Sequence, residues 1–228
     1  MAANMICPGV WRVAGPEVTD EQDCCVYLVD GGGELVLIDA GLGPSVPQIL
    51  DNIAALGFDP GQVRYLVATH GHIDHIGGLA GLKAATGGTV CAHQGDLRSI
   101  QEGLPELTAA SYYGVSYQPV GVDLVFSQAH ETLTAGLRTL TVLHAPGHTP
   151  GSIVLYGDFD GTRVLFAQDL HGPFDPAWGS NLSQWRHTAR MLLELEADIL
   201  CEGHFGVFRP REKAQAYIER WLEAYRDL

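Results

Sequence analysis

Thr69–Gly78 reads THGHIDHIGG, and the spacing His70-x-His72-x-Asp74-His75 decides how the rest of the chain is read. A packed core has little use for three imidazoles and a carboxylate at such short range, because every buried ring needs partners for both its nitrogens. The stretch follows an apolar run, Val63 to Thr69, that reads as a buried strand. At the end of that strand His70 and His72 can project into one cleft from a turning backbone, with Asp74 and His75 following at a helix entrance. Two neutral imidazoles suit one divalent ion, and a carboxylate with a third imidazole suits a second, a donor mix that fits zinc, iron or manganese. The short stretch by itself completes neither shell.

The surrounding composition is that of one folded unit. The chain has 228 residues, 46% of them apolar and 18% charged, with 28 glycines. That balance predicts a single turn-rich domain spanning 1–228, large enough to bury its own core. A formal charge of −14 with only 13 Lys and Arg argues against nucleic acid, whose binding needs clustered cations. Arg209, Arg211 and Lys213, the one local basic group, read as a solvated helix face. Cys7, Cys24, Cys25, Cys91 and Cys201 form no paired spacing, which predicts reduced thiols in a cytoplasmic protein. Neither a charged start followed by an apolar stretch nor a run of about eighteen apolar residues occurs, so no export or membrane insertion is expected.

Along the chain, Cys25 to Ala40 reads as two strands joined through Gly31, Gly32 and Gly33. Ser45 is expected to cap a helix to about Leu56, and a second helix is expected from Ile76 to Ala85. Thr89 to Ala92 reads as a strand and Gln94 to Gln101 as a short helix, whereas Gly103 to Gly121 is too irregular for either and is a candidate active-site loop. Strands then follow at Leu124–Ser127, Glu131–Thr134, Leu137–Leu143, Ser152–Tyr156, Arg163–Gln168 and Asp198–Cys201, with helices at Leu182–Glu194 and Pro210–Tyr225.

Three further donors stand where strands pass into loops: His148 in HAPGHTPGS, Asp169 in LFAQDLHG and His204 in LCEGHFG. Together with HxHxDH they resemble the metallo-β-lactamase superfamily over nearly the whole chain, including the early LIDAGLG turn that contains Asp39. The resemblance implies an α+β fold, a four-layer αβ/βα sandwich with two mixed β-sheets and two divalent ions at the strand edges. It assigns His70, His72 and His148 to one ion, Asp74, His75 and His204 to the other, and Asp169 to both. Asp39 is expected to orient a liganding histidine. Two departures stand out: Gln168 where the family commonly has Gly, and Glu202 where it commonly has Pro.

The chemistry implied is hydrolysis of an ester, thioester or lactone by a metal-bridging hydroxide, with Asp74 orienting it and zinc the expected metal, iron or manganese the alternatives. True β-lactamases of this fold generally lack the bridging aspartate, so Asp169 points away from antibiotics. Only 24 residues follow His204, fewer than the glutathione-binding helical region of the glyoxalase II type would require. His70, His148 and Asp169 also make the iron set of the superfamily's persulfide dioxygenases, which keeps an oxidoreductase as the alternative; a non-catalytic metal-binding protein is the third reading. His171, Tyr112 and Tyr113 are candidate substrate contacts, with Tyr117, Trp178 and Trp185 as weaker pocket candidates. His93, His130, His144 and His187 read as surface or locally hydrogen-bonded residues. The expected partner is a small-molecule substrate, and a homodimer is left open.

Overall fold

The computed structural model describes residues 3–227, so the first two residues and the last of the expected 1–228 domain lie outside the described residues. One sheet contains β1 (Asn4–Cys7), β2 (Val10–Ala14), β3 (Val26–Asp30), β4 (Leu35–Ile38), β5 (Val63–Val67), β6 (Thr89–His93) and β7 (Leu124–Phe126), in that order. The other runs β13 (Val207–Phe208), β12 (Ile199–Glu202), β11 (Thr162–Gln168), β10 (Ile153–Phe159), β9 (Arg138–His144) and β8 (His130–Ala135). Both are mixed: β4, β5, β6 and β7 pair in parallel, as do β11 and β12, and the other pairings are antiparallel.

The layering follows from alternation along strands that are apolar on both faces. In β4, Val36 and Ile38 face the second sheet and pack with Leu140, Val142, Leu155 and Phe166, whereas Leu35 and Leu37 face helices. Those helices are α1 (Val46–Ala55), which supplies Ile49 and Ile53, and α3 (Leu79–Thr86), which supplies Leu79 and Leu82. On the far side, Val154, Leu165 and Leu200 pack with Trp185 and Leu192 of α7 (Leu182–Glu194) and with Tyr217 and Ile218 of α8 (Arg211–Ala224). The result is the expected αβ/βα sandwich.

Several local expectations change. Strands β1, β2 and β13 were not foreseen, since each is short and broken from its neighbours by turns. Ser45 occupies the N-cap of α1 but makes no side-chain cap bond. Pro47 lies in that first turn and removes one of the N–H groups such a cap would bind. The helix expected over Ile76–Ala85 is two, α2 (Ile73–Ile76) and α3, separated by Gly77 and Gly78. A Cβ at Gly77 would stand 2.0 Å from the Leu42 carbonyl oxygen and one at Gly78 2.1 Å from that of Ala40. This break lets the Asp39–Gly43 turn lie directly against the histidine stretch. α4 (Leu97–Glu102) forms close to the short helix expected there, and residues 103–121 contain two helical turns, α5 (Pro105–Thr108) and α6 (Ala110–Tyr113).

Candidate metal centre

All seven expected donors reach one edge of the sandwich. His70 and His72 follow the end of β5, Asp74 and His75 lie on α2, and His148 lies in the β9–β10 loop. Asp169 follows β11 directly, and His204 follows β12 by two residues. Parallel strands expose their carboxyl ends together, which is why β11 and β12 deliver Asp169 and His204 to the same crevice, and β5 of the other sheet meets them there.

His72 Nδ1 stands 3.1 Å from His70 Nε2 and 2.9 Å from His148 Nε2. One ring nitrogen has a single proton or a single lone pair, so it cannot hydrogen-bond both neighbours in good geometry. Ligands of a tetrahedral zinc ion, each about 2.05 Å from the metal, are separated by roughly 3.3 Å. The three nitrogens therefore have the spacing of a coordination shell. On the other side, His204 Nε2 lies 3.1 Å from Asp74 Oδ2 and 3.4 Å from His75 Nε2. Asp169 faces both groups: Oδ1 is 3.2 Å from His75 Nε2, and Oδ2 is 3.2 Å from His204 Nε2 and 3.7 Å from His148 Nε2. Its Oδ1 is buried and accepts no hydrogen bond among the described residues, as expected of a carboxylate oxygen meant for a cation. Gly203 makes room for it, since a Cβ there would stand 2.0 Å from that oxygen. These clusters make a dinuclear metal-binding site.

The electrostatics divide the donors. Burial holds the His70 imidazole well below its ordinary range, and it takes His72 to about 4 and His148 to about 3. Burial acts the same way on His75 and His204, but carboxylates outweigh it. Cys24, Asp169, Asp39 and Asp74 push His75 up, and Asp169 with Asp74 takes His204 to about 11. Burial pushes Asp74 and Asp169 up, yet the facing imidazoles bring both below the usual carboxylate range.

Asp39 lies where expected. Its Oδ2 is 2.9 Å from His75 Nδ1, which turns Nε2 toward the centre, and its Oδ1 accepts from the Thr69 N–H at 2.8 Å. The two departures also acquire reasons. Gln168 takes a φ of +51°, a conformation glycine adopts without strain. Glu202 is fully buried: Oε2 accepts from the His204 and Phe205 N–H groups, and Oε1 lies 2.8 Å from His171 Nδ1.

A cavity of about 260 Å³ opens over the donors and is bounded in part by Tyr112, Tyr113, His171 and Trp178. Trp178 meets the His72 ring at 4.6 Å between centroids, and Tyr112 meets Trp178 at 5.6 Å. Tyr117 and Trp185 belong elsewhere: the first packs on core residues with its hydroxyl donating to the Ile100 carbonyl, and the second lies on the buried face of α7 against the second sheet. His130 and His187 are exposed as expected, and His144 is half-buried. His93 is buried and locally hydrogen-bonded, its Nδ1 accepting from the Gly95 N–H at 3.2 Å, and it stacks on His144 at 3.8 Å between centroids. Asp96, buried beside the first histidines, carried no motif and was missed.

The comparisons agree with this geometry. A family described as the metallo-beta-lactamase superfamily matches residues 20–204. An acyl-coenzyme A thioesterase of Bos taurus is 32% identical over 215 residues, covering 80% of this chain and 73% of that protein. A hydroxyacylglutathione hydrolase of Anaeromyxobacter dehalogenans is 34% identical over 134 residues, 59% of this chain, and that match spans 42% of its own length. A Cronobacter sakazakii metallo-beta-lactamase with a HARLDQ motif superposes with a TM-score of 0.84 at 25% identity, covering 99% of this chain and 96% of the other. With the sandwich, the ordered donors and the family match in agreement, the chain belongs to the metallo-beta-lactamase superfamily.

Proposed function

We propose that the chain is a metal-dependent hydrolase of ester-type bonds and that thioesters are its substrates. The observation that carries this reading is Asp169, which lies between the two donor clusters: Oδ1 is 3.2 Å from His75 Nε2, and Oδ2 is 3.2 Å from His204 Nε2 and 3.7 Å from His148 Nε2. His70, His72 and His148 would hold one ion, Asp74, His75 and His204 the other, and Asp169 both; zinc suits this nitrogen-rich set. When bound, two such ions lower the pKa of a shared water and stabilise negative charge on a carbonyl oxygen.

The chain's own residues supply the rest. Asp74, kept ionised by His75 and His204, orients the attacking water and draws its proton. The water oxygen forms the new C–O bond, the C–S bond breaks with its electron pair on sulfur, and the proton drawn by Asp74 passes to that sulfur, so that an acid and a thiol leave. Tyr112, Tyr113 and Trp178 offer an aromatic wall for the acyl group. None of the five cysteines is needed as a nucleophile; burial pushes the Cys24 and Cys201 thiols far up.

Thioesters are favoured over other ester-type bonds because relatives named as an acyl-coenzyme A thioesterase and a hydroxyacylglutathione hydrolase both match this chain. No helix among the described residues is long and apolar enough to cross a membrane. The unpaired cysteines favour the cytoplasm, which fractionation of the source cells would check. Protein purified without added metal should hold two ions per chain and turn over acyl thioesters ahead of lactones, β-lactams and phosphodiesters. One iron per chain with oxidation of a persulfide would replace the proposal by the dioxygenase reading.

A further inference from the structure

We infer that Asp96 is a positioning residue that sets the geometry of the three-histidine half of the centre, an inference that rests on the proposed metal site. Its side chain is buried in the segment between β6 and α4. Oδ2 accepts from the Gly71 N–H at 2.8 Å and from the Thr149 hydroxyl at 2.6 Å, and Oδ1 accepts from the Gly151 N–H at 2.8 Å. Gly71 is the residue between His70 and His72, and Thr149 directly follows His148. One carboxylate thus ties together the two chain segments that supply all three imidazoles.

The tie matters because these rings have little else to orient them. Metal-binding histidines usually donate their remote nitrogen to a neighbouring acceptor, which fixes the ring. His75 has such a partner in Asp39. By contrast, His72 Nε2 and His148 Nδ1 are buried without a hydrogen-bond partner among the described residues. Only His70 has one, with Nδ1 at 3.2 Å from the Thr69 hydroxyl. Orientation of His72 and His148 then comes from packing and from the backbone that carries them, and Asp96 holds that backbone on both sides.

The segments are also built for close approach. A Cβ on Gly71 would stand 2.0 Å from Ser99 Oγ, one on Gly95 2.7 Å from the Gly151 Cα, and one on Gly151 2.4 Å from the Asp96 nitrogen. The Ser99 hydroxyl in turn donates to the Asp96 carbonyl at 2.7 Å, which fixes the turn that presents the carboxylate. A metal shell tolerates errors of only about 0.2 Å in ligand distance, so slack between the two segments acts directly on affinity.

The test is retention of metal by the full zinc-loaded chain against graded concentrations of a chelator, with ions counted by elemental analysis and folding followed by circular dichroism. Asp96→Asn keeps the volume but sets an NH₂ group against N–H donors. It should lose one of the two ions at roughly 10- to 100-fold lower chelator concentration and keep the other as the wild type does. Cobalt-substituted protein should show which ion is lost, through the absorption of the three-nitrogen site. Thr149→Val removes one of the three bonds and should move retention in the same direction by several-fold. If Asp96→Asn does not fold, Thr149→Val decides the matter, and wild-type retention in that variant overturns the inference. Folded Asp96→Asn with unchanged retention, or with equal weakening of both ions, also overturns it while leaving the metal site standing. Wild-type protein that holds no ion pair would remove the proposed function itself.

Discussion

The two halves of the centre use opposite physics at a distance of a few ångströms. His70, His72 and His148 meet as bare imidazoles, and burial is the largest cause of their low values, which the charge of Asp169 opposes without overturning. His75 is fully buried and His204 largely so, yet nearby carboxylates, Asp169, Asp39 and Asp74 for the first and Asp169 and Asp74 for the second, more than offset the cost of their charge. The first half is a matter of geometry, held by backbone ties to Asp96; the second is a matter of charge balance, held by carboxylates on several strands. Asp169 is the one side chain that belongs to both.

That shared position gives the largest expected effect. Asp169→Ala should empty both halves of metal and depress thioester kcat/KM by more than about 10³-fold, since stabilisation of the carbonyl oxygen and supply of the nucleophile fail together. If the variant kept two ions and most of its activity, the halves would be independent sites. Asp74→Asn should be the next most severe. The amide keeps the shape and loses the charge that orients water, so kcat should fall by roughly 10²-fold or more. Metal in the three-histidine half should remain. Near-normal kcat in fully metallated Asp74→Asn would return that carboxylate to a merely structural role.

The sequence disclosed these halves unequally, for a physical reason. Donors that a zinc-like metal would touch are mostly His, Cys, Asp or Glu, and HxHxDH with His148, Asp169 and His204 is conspicuous because few other uses collect such residues at strand ends. The layers came from the resemblance those donors carry, and Leu35 to Ile38, apolar at every position, fits a strand covered on both faces. Supporting residues have no such signature. Asp96 opens a short helix in an ordinary polar stretch, and only the fold shows that its oxygens face Gly71 and Gly151. Likewise β1 and β2 were lost in a turn-rich start, where Gly9 takes a φ of +84° between two short strands. His93 read as a surface or locally hydrogen-bonded residue, and its bond with Gly95 is local, but nothing nearby in sequence announces His144 as its stacking partner.

His93 sharpens the account of the first half from outside the donors. Its ring stacks on His144, whose Nε2 lies 2.9 Å from the Pro150 carbonyl oxygen, so the pair joins the end of β6, just before Asp96, to the loop that carries His148. Burial takes His93 to about 4 from an ordinary 6.5, with the His144 charge adding to it and Glu131 opposing. The folded-state value lies below that of the unfolded chain. Stability from the neutral ring is therefore present above pH 6.5 and lost as pH falls toward about 4, where the unfolded chain binds a proton that the folded one resists. His93→Gln should flatten the fall in Tm across that window, by an amount on the order of 2 kcal/mol in stability. The difference between variant and wild type cancels slopes that both share. Parallel curves would show that the stack carries no pH-dependent strain.

The smallest expected effects concern the two tyrosines, which the comparison assigns to different halves. Tyr112 is 71% exposed and reaches the centre only through Trp178, whose ring lies against His72. Tyr113 is half-buried and borders the same cavity; burial and then the charge of Asp74 push its phenol up, which sets it beside the charged half. Tyr112→Ala should therefore act on binding, raising KM for bulky acyl thioesters by roughly 5-fold, about 1 kcal/mol of lost apolar contact, with kcat retained. Tyr113→Phe leaves the ring and removes the hydroxyl near Asp74, so it should lower kcat by a few-fold at nearly constant KM. Metal content should stay at the wild-type level in both, since neither side chain is a donor. Steady-state kinetics on a series of acyl chain lengths separates the cases. If both variants moved KM alone, the aromatic wall would be a single acyl pocket with no division between the halves, and a loss of metal from either would mean that the loop of residues 103–121 helps hold the ions in place.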